Sequence, residues 1–241
     1  MANNINEPDR DYMDYKTRRK EDEENEIKLR PLADAIYLRN GFSFERCDTK
    51  DEQICGIDLY MKNPFNPNEI LCVDEKAATK NKKGFCNSYD VLNTFCFETH
   101  TVKNYKNQGW LFASNSKTTH YMCIYPKSYD MFKNVPKLEM FLIEKQFVLD
   151  TLKEVGICSA DDAMRLFLEK NYLDKNGNRV RKLDWKIKLM HVKKLEEKPL
   201  LALINRDYLR KNSILRIDYK NQLLCAELEK QQKLKQQKKI A

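Results

Sequence analysis

The sequence predicts a fold of the α/β class, in its α+β form. Three observations lead there. Short apolar runs of strand length recur between residues 42 and 125. Stretches with apolar residues at three- and four-residue steps lie before and after them, as in amphipathic helices. Clusters of Asn, Pro, Gly and Asp separate the runs, and no internal repeat imposes a solenoid. The 241 residues allow one large domain or a domain with an appendage. With 41% hydrophobic residues, the chain can bury a substantial core despite 33% charged residues.

Residues 9 to about 39 read as helical, with Leu29, Leu32, Ala33, Ile36 and Tyr37 on one apolar face. Pro31 favours a break or fresh start there, and Asn40-Gly41 is a helix stop. Residues 42–47 alternate like a strand, and a polar turn over 48–52 leads to a second strand-like run, 56–61, which carries Asp58. The turn-rich stretch 63–68 fits a hairpin connection to the run 70–76, which carries Asp74 and Lys76. A basic loop follows, then a short helix over 86–91, then strands over 94–99 and 121–125. A helix is expected from Pro136 to about Val155, with Leu138, Phe141, Leu142, Lys145 and Leu149 in step and Gly156 closing it. Ser159 is the expected N-cap of another. A turn is expected at 174–177, strands over 186–192 and 200–204, a short helix near 206–211, and a polar, basic helical end over 223–241.

Net charge is +8, unevenly spread: residues 1–174 sum to −4 and residues 175–241 to +12. A basic C-terminal third suits a polyanion, and equally suits a solvated lysine-rich surface. The eight cysteines form no Cys-x-x-Cys pair, which disfavours a zinc ribbon and fits reduced, buried thiols. The first residues have no apolar stretch, and no run is long enough to span a bilayer, so a soluble cytoplasmic protein with no membrane partner is expected. His100, His120 and His191 show no metal or catalytic spacing, and the six glycines form no phosphate-binding loop.

What remains is carboxylate and lysine chemistry. Asp/Glu-x-Lys also occurs elsewhere, at residues 26, 48, 184, 196 and 218 among others, so the tripeptide alone decides nothing. Asp74-Glu75-Lys76 differs because it ends a continuous apolar run, and its partner run bears Asp58. Strand alternation puts Asp74 and Lys76 on one face and Glu75 on the other. A hairpin would bring Asp58 beside Asp74; the plain alternative is two strand ends with charges at a solvent boundary.

The order helix, strand, strand with Asp58, strand with Asp74-x-Lys76, helix, strand resembles the PD-(D/E)xK, or restriction-endonuclease-like, nuclease superfamily. The string Gln53 to Asp58 followed by Val73 to Lys76 is similar to phage and mobile-element members, as are Thr94 to Glu98 and Gly109-Trp110. The resemblance covers roughly residues 25–130, and Ile57 stands where the motif has proline. It implies a central mixed β-sheet flanked by helices, with a C-terminal extension of helix and strand. The expected layout is a helical arm over 1–24, a nuclease domain over 25–218 with a helical insertion near 137–182, and a basic helical tail over 219–241.

By this resemblance Asp58, Asp74 and Lys76 are catalytic. Asp58, Asp74 and the Glu75 backbone carbonyl would hold Mg²⁺ or Mn²⁺, and Lys76 would orient the attacking water. Gln53, Glu98 and Glu26 are auxiliary candidates, with strand capping, solvent exposure and a solvated helix face as their plainer roles. Arg46, Lys80, Lys82 and Lys83 are candidate nucleic-acid contacts, Arg46 alternatively a surface ion pair. The implied activity is metal-dependent hydrolysis of phosphodiester bonds in DNA rather than RNA. The alternative is a catalytically inactive module of the same fold that binds nucleic acid or protein. A homodimer is allowed by either.

Overall fold

The computed structural model describes residues 27, 29–47, 49–77, 79–80, 84–85, 93–101, 107–126, 137–174, 177–192 and 199–220. Five apolar positions one helical turn apart give residues 29–39 (α1) a single buried face, made of Leu29, Leu32, Ala33, Ile36 and Tyr37. The helix stops at Asn40, whose side-chain amide donates to the Ile36 carbonyl at 2.8 Å, and Gly41 takes φ +78°.

That face lies on a six-stranded mixed sheet. Its strands are β1 (Phe44–Arg46), β2 (Leu59–Lys62), β3 (Ile70–Ala77), β8 (His120–Pro126), β9 (Lys137–Glu144) and β14 (Leu215–Lys220), in that spatial order. β3 and β8 run parallel and the other neighbours antiparallel. Alternation sends Leu71, Val73, Met122, Ile124, Leu138, Met140 and Leu142 towards α1.

The opposite face meets a second six-stranded sheet. Its antiparallel order is β10 (Tyr172–Leu173), β11 (Arg179–Lys182), β12 (Ile187–His191), β13 (Leu200–Asn205), β6 (Thr94–Thr101) and β7 (Asn107–Gln108). Tyr121, Tyr125 and Phe141 of the first sheet share a core with Phe95, Phe97, Leu189 and Ala202 of the second. The Phe97 and Tyr121 rings meet edge to face, 5.0 Å apart. Helices α3 (Lys145–Lys153) and α4 (Ala160–Glu169) contribute Val148, Leu152, Ala163 and Phe167 to that core. α4 is capped as expected, the Ser159 hydroxyl accepting from the Asp162 N–H. α5 (Arg206–Lys211) lies where a short helix was expected. Among the described residues no helix is long and apolar enough to cross a membrane.

Three expectations need correction. Residues 137–144, expected as the first half of a helix and as part of a helical insertion, form strand β9. Their apolar residues fit a helical period, but Leu138 through Ile143 are all fully buried. A helix here would bury about half of them. Each additional buried large side chain contributes roughly 1.5–3 kcal/mol, against helix propensities that differ by at most about 0.7 kcal/mol for ordinary residues. Burial on both faces therefore favours the strand. Glu139 is tolerated inside it because Arg216 and Arg210 approach its carboxylate at 3.1 and 3.4 Å. The polar turn at 48–52 instead enters a short helix, α2 (Lys50–Ile54). Residues 179–182, expected within the helical insertion, form strand β11. The helix expected over 86–91, the arm over 1–24 and the basic end over 223–241 lie outside the described residues.

Candidate active site

β2 and β3 form the expected hairpin, in register from Lys62–Ile70 to Leu59–Val73. Asp58 stands just before β2, tied to both neighbouring strands. Its N–H donates to the Val73 carbonyl at 2.9 Å, and its own carbonyl accepts from Cys47 at 3.0 Å. Its carboxylate reaches over the end of the ladder and accepts the Glu75 N–H at 2.7 Å. In an extended strand the N–H and C=O of one residue point to the same edge. The Glu75 carbonyl therefore points to the edge that Asp58 occupies.

Asp74 lies next to it, only 6% exposed. The Lys76 ammonium, two residues on and on the same face, donates to Asp74 Oδ1 at 2.7 Å. Burial raises the Asp74 pKa from 3.8 to about 7, and the adjacent Asp58 carboxylate adds to the rise while Lys76 opposes it. Asp58 is a near neighbour of Asp74, since its carboxylate accepts the N–H of the residue that follows Asp74. The structure thus brings Asp58, Asp74 and Lys76 together.

Glu75 goes the other way. Its carboxylate lies under α1, where the Tyr37 hydroxyl donates to it at 2.6 Å and Arg46 pairs with it. Arg46 also pairs with Asp34 of α1, with Nε to Oδ1 at 3.0 Å. The Arg46 guanidinium thus pairs with two carboxylates on the α1 face, the ion-pair role that was its alternative. Burial raises the Glu75 pKa and Arg46 and Tyr37 counter it. A small cleft beside this cluster is lined by Leu29, Arg30, Ala33, Asp58, Glu75 and Ala77, among others.

Other candidates lie further off or outside the described residues. Gln53 belongs to α2, one turn before Gly56. Glu98 lies on β6 in the second sheet, on the strand face opposite Phe95 and Phe97, the rings that pack on Tyr125 and Tyr121. Lys80 ends β4 (Thr79–Lys80), which pairs with β5 (Gly84–Phe85) just past the end of β3. Glu26, Lys82 and Lys83 lie outside the described residues.

The loop from Gly109 to Thr119 straps the Asp58 turn, which sequence reasoning did not anticipate. Lys117 N–H donates to the Cys55 carbonyl at 2.9 Å, and the Thr118 hydroxyl to the Gly56 carbonyl at 2.6 Å. Gly56 has φ +74°, and a Cβ there would lie 2.8 Å from the Thr118 hydroxyl and 3.8 Å from the Trp110 ring. Lys145 completes this wall, donating to the Ser116 hydroxyl at 2.9 Å. For Lys145, though not for the loop, a legible signal existed: a lysine in the apolar stripe of an expected helix is out of place unless it has a polar partner.

Two adjacent carboxylates, one buried, and a nearby backbone carbonyl are the oxygen donors that hard divalent cations take. Among the described residues no group of three or more His, Cys, Asp or Glu side chains converges, so a cation here would draw its other ligands from backbone and water. Comparison with protein-family models, with curated proteins and with solved structures finds no match for this chain.

Proposed function

We propose that the chain is a divalent-metal-dependent nuclease that hydrolyses phosphodiester bonds in DNA, on a restriction-endonuclease-like core. The observation that carries this reading is the end of the β-hairpin, where the Asp58 carboxylate accepts the N–H of the residue after Asp74 and Lys76 pairs with Asp74. The succession of α1, β1, β2 and β3, with β8 parallel to β3, supports it. Asp58, Asp74 and the Glu75 carbonyl would hold Mg²⁺ or Mn²⁺. Such an ion, when bound, polarises the phosphoryl group and lowers the pKa of a coordinated water. Lys76 would hold that water in line and offset negative charge that develops on the phosphate. The Tyr37–Glu75–Arg46 cluster on the opposite face fixes the β3 backbone, and so the direction of the Glu75 carbonyl.

Purified protein is expected to cut plasmid, single-stranded DNA or RNA in Mg²⁺ or Mn²⁺, with a preference for DNA. Asp74→Ala and Lys76→Ala should each lower the rate by about 10²-fold or more. If neither metal supports cutting of any of these nucleic acids, the nuclease reading fails.

One observation favours a second reading, a non-catalytic module that binds nucleic acid or protein: the side-chain ligand set stops at two carboxylates among the described residues. That reading predicts binding that survives Asp58→Ala and needs no metal.

A further inference from the structure

Lys145 is the first residue of α3, yet it belongs by register to the face that carries Asp74. The Thr119 N–H donates to the Cys72 carbonyl at 2.9 Å, and the Lys145 N–H donates to the Thr119 carbonyl at 2.8 Å. These bonds line up Cys72, Thr119 and Lys145 as a row across β3, β8 and the end of β9. The next row is Asp74, Tyr121 and Ile143, and the one after it Lys76, Cys123 and Phe141. Side chains two residues apart share a face. Lys76 and Lys145 therefore stand on either side of the Asp74 row.

The Lys145 ammonium is half-buried, and among the described residues its hydrogen-bond partner is a neutral hydroxyl, Ser116 Oγ at 2.9 Å. That hydroxyl accepts one of three ammonium protons, leaving two for another acceptor. Burial lowers the Lys145 pKa, and the Asp74 carboxylate only partly restores it. A partly desolvated ammonium on a neutral acceptor, with Asp74 offsetting only part of the cost, still calls for compensating charge. An anionic oxygen entering beside Asp58 and Asp74 would supply it. Ser116 is itself held in place, 3.4 Å from the Thr118 hydroxyl that anchors the loop to Gly56.

We propose that Lys145, held by Ser116, is a second phosphate contact of this site, gripping a non-bridging oxygen of the nucleic-acid backbone and seating the strand across Asp58 and Asp74. The assignment deepens the nuclease reading and rests on it. Lys76 and Lys145 then divide the work. Lys76 serves the reacting water, and Lys145 serves the bound strand.

The test is fluorescence anisotropy with a labelled short DNA, as single strand and as duplex, over a salt series in EDTA so that cleavage does not consume the probe. Lys145→Ala should weaken binding about three- to tenfold at moderate salt, and should lower the slope of log affinity against log salt by about one. Lys145→Arg should retain both. In cleavage with Mg²⁺, Lys145→Ala should raise KM far more than it lowers kcat, whereas Lys76→Ala should lower kcat. An unchanged slope in a folded Lys145→Ala protein overturns the proposal. If Lys145→Ala does not fold, Lys145→Gln replaces it, and equal slopes for the Gln and Arg variants overturn the proposal. Wild-type protein that binds neither probe also overturns it. Cleavage that ignores Lys145 leaves the nuclease reading standing without this contact. Lys145-dependent binding without cleavage leaves the contact standing and removes the nuclease.

Discussion

Asp74 and Arg46 illustrate opposite uses of a buried charge. Asp74 is buried beside a second carboxylate, so its folded-state pKa of about 7 lies above its ordinary 3.8. The folded protein then binds a proton more readily than the unfolded chain does. The stability this contributes is fully present below pH about 3.8 and is lost as pH rises through about 7. Denaturant titrations across this range should show the decline in wild type and a flatter profile in Asp74→Asn. A divalent cation can replace the proton. Mg²⁺ should therefore raise the melting temperature of wild type above pH about 7, and should do so much less for Asp74→Asn. A wild-type melting temperature indifferent to both Mg²⁺ and Mn²⁺ would count against a cation at this pair.

Arg46 is the compensated case, with 16% of its side chain exposed and its partner Glu75 at 10%. Among the described residues, Arg46→Ala would leave the Glu75 carboxylate with Tyr37 alone. An uncompensated buried carboxylate costs about 3–5 kcal/mol, readable as a drop in the urea midpoint. Arg46→Ala combined with Glu75→Gln should recover much of the loss. A small effect of the single substitution would mean that the cluster is better hydrated than its burial implies. In the sequence Arg46 is one basic residue among 44. Its two carboxylate partners lie 12 positions before it and 29 after it, so only the tertiary fold reveals what it holds.

At the level of the element, the hairpin was the most legible feature. Strand alternation alone separated Asp74 and Lys76 from Glu75, and the turn-rich 63–68 segment placed Asp58 opposite them. β9 was not legible, because six consecutive buried residues fit a helical stripe as well as a two-faced strand, and only the neighbours β8 and β14 decide between them. The strap from Gly109 to Thr119 was invisible for a different reason. Its bonds to Cys55 and Gly56 run from backbone groups and small hydroxyls that carry no periodic signal. Gly56→Ala tests the strap. It imposes φ +74° on a residue with a side chain and drives Cβ to 2.8 Å from a hydroxyl already bonded to the same residue. Backbone strain of this kind costs of order 1–3 kcal/mol. Loss of stability should accompany loss of cleavage, because Asp58 lies two residues on. Full activity in Gly56→Ala would show that the strap does not position Asp58.

For the molecule as a whole, the strand-rich first part and the helix beginning at Ser159 were readable from composition and caps. The partition into two sheets was not. Local alternation says which residues are buried, but it does not say which strands become neighbours. The chain leaves the first sheet after β3, lays β6 and β7 into the second, and returns as β8 parallel to β3. It visits the second sheet again from β10 to β13 before closing the first with β14.

The pairing of β6 with β13 has a consequence for synthesis. It joins residues 94–101 to residues 200–205, and β9 waits likewise for residues 215–220. Asp58, Asp74 and Lys76 leave the ribosome well before β13, so the layer that covers their sheet cannot assemble until that later strand has followed. Contacts so distant in sequence form slowly. A half-made chain would carry the carboxylate hairpin without the second sheet that packs against its strands, and it would present β6 as an unpaired edge open to other strands. The site's own residues are thus made before the strands that enclose them.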